Sequence, residues 1–243
     1  MLYNISTRFE INLQDTLASE IGSASTFILK NKIPTMIVNP DLFMSVLADR
    51  QMKTWQMQPP YKIIVAIDFR DNGKHYAMDK VKLLPREVLE ADGYDIMITP
   101  GRNEIETGKE MNTLHDFFKQ MNPMTEIRWV LGCRTQTTEN ILTVIKMAKK
   151  YPPNFIRTDS NVVIPQQDIG NHRVDIKLIK DNIGIPIKLS GNINWEIVKE
   201  MKDQVARFDV SISQARSILI NADKDINQAK TQEAQKLISD SPS

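Results

Sequence analysis

Residues 63–67 read Ile-Ile-Val-Ala-Ile, the longest uninterrupted apolar run of the chain, and residues 35–38 form the shorter run Thr-Met-Ile-Val. Neither run alternates between apolar and polar residues, which is typical of strands that helices cover on both faces. Similar runs recur about every 30 residues, the length of one βαβ unit. The sequence predicts eight strands, at residues 5–11, 35–39, 63–69, 94–99, 127–131, 154–158, 186–190 and 207–211.

Helical patterns lie between these strands. Thr137 and Thr138 can cap a helix that Pro152 and Pro153 end, and Asn194 can cap another. Eight βα units in 243 residues predict a closed (β/α)8 barrel of the α/β class. An open doubly wound sheet would need a glycine-rich turn after the first strand, which this sequence lacks. We assign residues 1–220 to the barrel and residues 221–243 to a polar C-terminal helical tail.

The composition excludes several classes of protein. The 31 Lys and Arg balance 30 Asp and Glu, so nothing favours binding to nucleic acid. No apolar run is long enough to cross a membrane, and charges within the first ten residues argue against a secretory signal. Cys133 stands alone, and His75, His115 and His172 have no metal-ligand spacing. We therefore expect a cytoplasmic protein without a metal site.

In this fold, functional side chains follow the carboxyl ends of the strands. Lys188, in IPIKLSGN, lies between apolar residues, where a charge is costly unless it is paired or functional. Asp95, in GYDIMI, and Arg157, in NFIRTDS, occupy comparable places on strands four and six. Two interpretations remain open: a catalytic or binding site if the three meet in a pocket open to solvent, or a structural ion-pair cluster if they are sealed in a filled core.

A phosphate site is predicted beside this group. Ser211 and Ser213 lie at the start of the helix after strand eight, and Gly191 follows strand seven. Backbone N–H groups at a helix N-terminus bind anions, and such barrels commonly bind phosphate at this place. Serine is also an ordinary helix cap, and the negative charge of Asp209 opposes phosphate binding.

Five segments in the same order resemble the 2-deoxyribose-5-phosphate aldolase family, over about residues 33–219. They are TMIVNP at 35–40, ADGYDIMI at 91–98, FIRTDS at 155–160, IKLSGNIN at 187–194 and RFDVSIS at 207–213. The family's counterpart of FIRTDS reads Phe-Ile-Lys-Thr-Ser-Thr. The resemblance implies a class I aldolase barrel, in which a lysine amine forms an imine with the substrate and no cofactor is needed.

The resemblance places Asp95 at the proton-relay aspartate, Lys188 at the second lysine, and Arg157 at the lysine that forms the imine. Arginine cannot replace that lysine, because its guanidinium stays protonated and its lone pairs are delocalised. The sequence also has Asn192 and Asp209 at two family glycines, and Gly132 at a family glutamate. These departures predict that the ordinary mechanism is lost and that phosphate affinity is weakened.

Three functions follow as hypotheses. The first is a catalytically degenerate aldolase-like barrel that serves as a binding, regulatory or structural component. The second is an active aldolase for a small phosphorylated sugar or aldehyde, with Lys188 as nucleophile and Arg157 lowering its pKa. The third is a subunit of a larger assembly or a homo-oligomer, which uses the outer surface of the barrel and the C-terminal helix, with Trp55 and Met57 as further apolar contacts.

Overall fold

The computed structural model describes residues 5–14, 16–53, 61–67, 81–98, 103–130, 138–159, 180–181 and 184–239. Within them, eight parallel strands pair in sequence order, and β1 also pairs with β8, so the sheet closes into a barrel. This confirms the predicted (β/α)8 fold. The strands are β1 Phe9–Asn12, β2 Thr35–Val38, β3 Lys62–Ile67, β4 Gly93–Met97, β5 Glu126–Val130, β6 Phe155–Asp159, β7 Ile187–Ser190 and β8 Arg207–Val210.

The described part of the chain contains six α-helices outside the sheet. They are α1 Ile21–Lys30, α2 Pro40–Lys53, α3 Glu104–Met121, α4 Thr138–Lys150, α5 Trp195–Met201 and α6 Ile212–Ser239. The predicted cap of α5 is confirmed, because the Asn194 side chain accepts a hydrogen bond from the Ile197 N–H. Thr138 is the first residue of α4, whereas Thr137 lies outside the described residues.

The predicted start of the first strand was wrong by four residues, and most of the other predicted boundaries differ from the observed ones by one residue. Residues Ile5–Arg8 form a 3-10 turn, so β1 begins at Phe9 and not at residue 5. The Arg8 guanidinium bonds the carbonyls of Val205 and Ala206, which anchors this turn to the segment before β8. At the other end, β8 stops at Val210 because Ser211 caps the next helix. The predicted strand ends at 68–69, 99 and 131 lie outside the described residues.

The C-terminal helix α6 is continuous through residue 220, where the composition changes. Its first part packs on the strands β1 and β8, and Ala215, Ile218 and Ala222 are buried. The Trp195 indole N–H donates to Asp225 over 2.7 Å, which ties α6 to α5. Residues 227–233 are all exposed. The predicted tail is therefore an extension of a packed helix, and its exposed portion follows this indole contact.

Apolar and charged residues occupy opposite faces of the sheet. The large hydrophobic core lies between the strands and the helices, and includes Phe9, Val65, Trp129 and Phe208. On the inner face, Ile37, Ile64 and Ala66 form a separate small apolar cluster. Among the described residues no helix is both long and apolar enough to span a membrane.

Gly93 offers a test of how tightly the barrel packs. A Cβ atom at this position would lie 2.5 Å from the Glu126 carbonyl oxygen and 2.9 Å from Ile64 Cδ1. We expect Gly93→Ala to lower the free energy of unfolding by about 3 kcal/mol, because backbone must move to admit the methyl group. Gly22→Ala is the matched control: its Cβ meets nothing closer than 3.9 Å in α1, so stability should rise by up to ~1 kcal/mol. Urea denaturation of both variants measures this, and equal effects would contradict the packing argument.

Candidate functional site

The inner face of the barrel carries charged side chains where branched apolar residues are usual in this fold. Nine charged residues from seven strands are joined there by ion pairs, and we call them the interior network. Its members are Glu10, Lys62, Asp95, Glu126, Arg128, Arg157, Lys188, Arg207 and Asp209. Burial of so many charges is tolerated because each finds an opposite partner.

Glu10 pairs with three cations of the network, as many as Asp95 does. Its Oε2 lies 2.7 Å from Lys188 Nζ and 2.6 Å from Arg128 Nη1, and its Oε1 accepts from Arg207 Nη1 at 3.0 Å. Glu10 was not singled out in the sequence, although it lies within the predicted first strand at residues 5–11. The signal was present, since Glu10 lies between the apolar residues Phe9 and Ile11 just as Lys188 lies between apolar neighbours.

The three predicted catalytic residues meet. Lys188 Nζ lies 2.9 Å from Asp95 Oδ2, and Arg157 Nη1 lies 3.5 Å from the same oxygen. Arg157 Nη2 is 2.8 Å from Asp209 Oδ2. The side chains of Lys188 and Asp95 are fully buried, whereas that of Arg157 is 15% exposed. The lower part of the group is thus sealed, and Arg157 is the member of the three that touches solvent.

The ion pairs form one chain of alternating sign through the barrel. Lys62 and Glu126, the first residues of β3 and β5, pair over 2.8 Å at the amino-terminal end, where Lys62 is 54% exposed. The Arg128 guanidinium joins Glu126 to Glu10. From Glu10 the chain continues through four residues toward the carboxyl ends of the strands: Lys188, Asp95, Arg157 and Asp209.

The pKa shifts divide the carboxylates into two groups. Burial acts to raise the pKa of Glu10, but Arg128, Lys188 and Arg207 outweigh it and hold that pKa well below its usual range. Asp95 is buried in the same way, and its neighbouring cations again lower the pKa. For Asp209, burial prevails over the nearby cations and its pKa is raised. Among these three buried carboxylates, Asp209 is therefore the one that protonates most easily.

The three predicted phosphate ligands also meet, at the carboxyl ends of β7 and β8. Ser211 and Gln214 form a reciprocal cap, in which the Gln214 N–H donates to Ser211 Oγ and the Ser211 N–H donates to Gln214 Oε1. Ser211 Oγ lies 2.9 Å from Ser213 Oγ, and Gln214 Nε2 donates to the Gly191 carbonyl. Gly191 has φ 99, the left-handed region that glycine favours. Phosphate binding by these residues stays a prediction, and Ser211 acts as the helix cap.

Sequence reasoning did not single out Gln214. The spacing Ser-x-x-Gln before an apolar run is the signature of a reciprocal helix cap and could have identified it. No group of three or more metal-binding side chains occurs among the residues that the structure describes. His115 is partly exposed on α3 beside Asp116, and His75, His172, Trp55 and Met57 lie outside the described residues.

Comparison with known proteins reveals the same architecture in solved structures. No protein-family model matches the sequence, and a search of curated proteins found no match. The chain shares the fold of deoxyribose-phosphate aldolases. The aldolase of Aeropyrum pernix superposes with a TM-score of 0.68 at 12% identity, over 88% of this chain and 89% of that one. Two candidate deoxyribose-phosphate aldolases give similar values. That of Coccidioides immitis superposes with a TM-score of 0.70 at 12% identity, over 91% of this chain and 87% of that one. That of Toxoplasma gondii superposes with a TM-score of 0.68 at 15% identity, over 91% of this chain and 96% of that one.

The interior network predicts how stability depends on pH. Glu10, Asp95 and Glu126 have pKa values below those of unfolded chains, so their contribution is complete above about pH 4.5 and is lost as the pH falls. Asp209, with a raised pKa, acts in the opposite direction. We expect the free energy of unfolding to fall by more than ~2 kcal/mol between pH 5 and pH 2.5.

Urea denaturation at a series of pH values measures this slope. Glu104, which pairs with Lys146 on the surface and is 48% exposed, provides the control, because Glu104→Gln should leave the acid slope unchanged. A wild-type free energy that stays constant down to pH 2.5 would show that the buried carboxylates do not stabilise the barrel through their charges.

Proposed function

We propose that this chain is an aldolase-fold barrel without imine chemistry, which serves as a binding or structural component. The observation that carries the proposal is the position of Lys188, whose amine is fully buried and contacts two carboxylates at 2.7 and 2.9 Å. The neighbouring strand position, which resembles that of the imine-forming lysine, holds Arg157.

Imine formation requires an amine that is neutral for part of the time and can reach a carbonyl carbon. Lys188 Nζ lies between the carboxylates of Glu10 and Asp95, where its charge balances theirs in a part of the barrel that excludes water. A substrate carbonyl would also have to displace these partners in order to reach Nζ. Arg157 touches solvent, but its guanidinium stays protonated and is no nucleophile.

The proposal combines the geometry with the resemblance. Several solved structures of the same fold are named as deoxyribose-phosphate aldolases, and the five matching segments include both strands that carry Arg157 and Lys188. In this interpretation, the charges that tune an amine in an aldolase are engaged in holding the barrel together. An active aldolase with Lys188 as nucleophile is the competing hypothesis.

Borohydride trapping separates the two hypotheses. We expect no covalent adduct when the wild-type protein is reduced in the presence of acetaldehyde or 2-deoxyribose 5-phosphate, as measured by intact mass and peptide mapping. Lys188→Arg is the matched variant, since it keeps the charge but cannot form an imine. Arg157→Lys combined with Asp209→Gly should restore an amine at the barrel mouth and raise the adduct yield at least ~10-fold over wild type.

An adduct on Lys188 of the wild type that disappears in Lys188→Arg would establish the relocated aldolase and refute our proposal. An adduct-free double variant that is folded by circular dichroism would show that position 157 does not lie where a carbonyl substrate can bind.

The exposed portion of α6 favours a second candidate, a subunit that binds a protein partner or another copy of itself. Residues 227–233 extend beyond the contact between Asp225 and Trp195. They are exposed and, apart from Ala229, polar, so burial of apolar side chains gives this part of the helix little support. At equal concentrations, we expect the full chain to have the mass of an oligomer in solution and a variant ending at residue 226 to have the mass of a single chain. Equal one-chain masses of both by light scattering would argue against self-association through α6.

A further inference from the structure

The ion pair between Arg157 and Asp209 lies at the point where the interior network meets solvent. Arg157 Nη2 is 2.8 Å from Asp209 Oδ2, and the side chain of Arg157 is 15% exposed while that of Asp209 is 2% exposed. The Asn12 amide lies 3.4 Å from the same carboxylate oxygen. Water can therefore reach this pair from the guanidinium side, whereas the carboxylate is enclosed.

Charged groups from four strands face Asp209. The cations are Arg157 of β6 and Lys188 of β7, and the anions are Asp95 of β4 and Glu10 of β1. Glu10 and Asp95 each contact three cations of the network, but Asp209 has a single ion pair within the described residues. Asp209 is thus the carboxylate whose charge the barrel supports least, and burial raises its pKa.

We propose that this pair is a proton-coupled site for a small carboxylate: the ligand's carboxylate takes the place of the Asp209 carboxylate on the Arg157 guanidinium, and Asp209 takes up one proton from solvent. The guanidinium geometry suits a carboxylate, which it can bind through two parallel hydrogen bonds. The net charge of the network is unchanged, because one negative charge and one proton enter together. Entry of the ligand's negative charge without a proton would leave an unbalanced charge in this buried network, which is costly.

The inference rests on the proposed binding function and names its ligand class. It also predicts a sign for the pH dependence. Because binding takes up a proton, the affinity must rise as the pH falls and must level off once Asp209 is protonated in the free protein.

Formate is the probe, because it stays ionised from pH 5.5 to pH 7.5 and has the size of the carboxylate that it replaces. The apparent Kd is obtained from the rise of Tm with formate at constant ionic strength, with chloride as the reference salt. We expect formate to bind wild type at least ~10-fold more tightly at pH 5.5 than at pH 7.5.

Asp209→Asn should bind formate at pH 7.5 at least as tightly as wild type does at pH 5.5, with no remaining pH dependence. Asp209→Asn combined with Arg157→Gln, which leaves neither charge of the pair, should lose formate binding. Lys146→Gln, on the surface pair with Glu104, is the control and should behave as wild type.

Absence of formate-specific stabilisation in folded wild type at pH 5.5 would overturn the inference, as would the same pH dependence in wild type and Asp209→Asn. If sulfate bound as tightly as formate or more tightly, the site would be one for anions in general, and this result would also overturn the inference. The borohydride test of the proposed function measures an adduct on Lys188 in the absence of formate. A failure of the proposed function therefore remains distinguishable from a failure of this site.

Discussion

The carboxylate of Glu10 is bound by three cations at once, Lys188, Arg128 and Arg207, and this contact links four strands of the barrel. Glu10 lies on β1, and its partners lie on β7, β5 and β8. The contact therefore connects the two strands that close the barrel with the strand on its opposite side. Because most members pair with more than one partner, the loss of one charge disturbs the balance around several others, so the inner face behaves as a single unit.

This constraint gives a physical account of how the fold of an aldolase can hold a charged interior, which is what our proposed function requires. In the described residues, the apolar core between strands and helices supplies the usual packing, and the inner face carries the ion pairs beside a small apolar cluster. Lys188 is fully buried between two carboxylates, so its charge takes part in the packing of the interior. The apolar layer outside the sheet does not contain these charges.

Electrostatic support decreases along the network toward the carboxyl ends of the strands. Glu10 and Asp95 are surrounded by cations, while Asp209 pairs with the partly exposed Arg157. The residue that resembles the family's nucleophile is thus also the place where the interior is open to change. A binding function, as we propose it, requires a charged group of the interior that still reaches solvent, and Arg157 meets this condition.

The sequence alone determined the barrel, because eight apolar runs at regular spacing, without glycine-rich turns, leave few other arrangements. It also identified Lys188, Asp95 and Arg157, since a charge among apolar strand residues is costly unless a partner meets it. Only the tertiary structure decided which residues pair with these charges. Glu10 and Arg128 are separated by 118 positions in the chain. Side-chain alternation predicts which residues point inward, but the tilt and stagger of the strands decide which of them meet at one height.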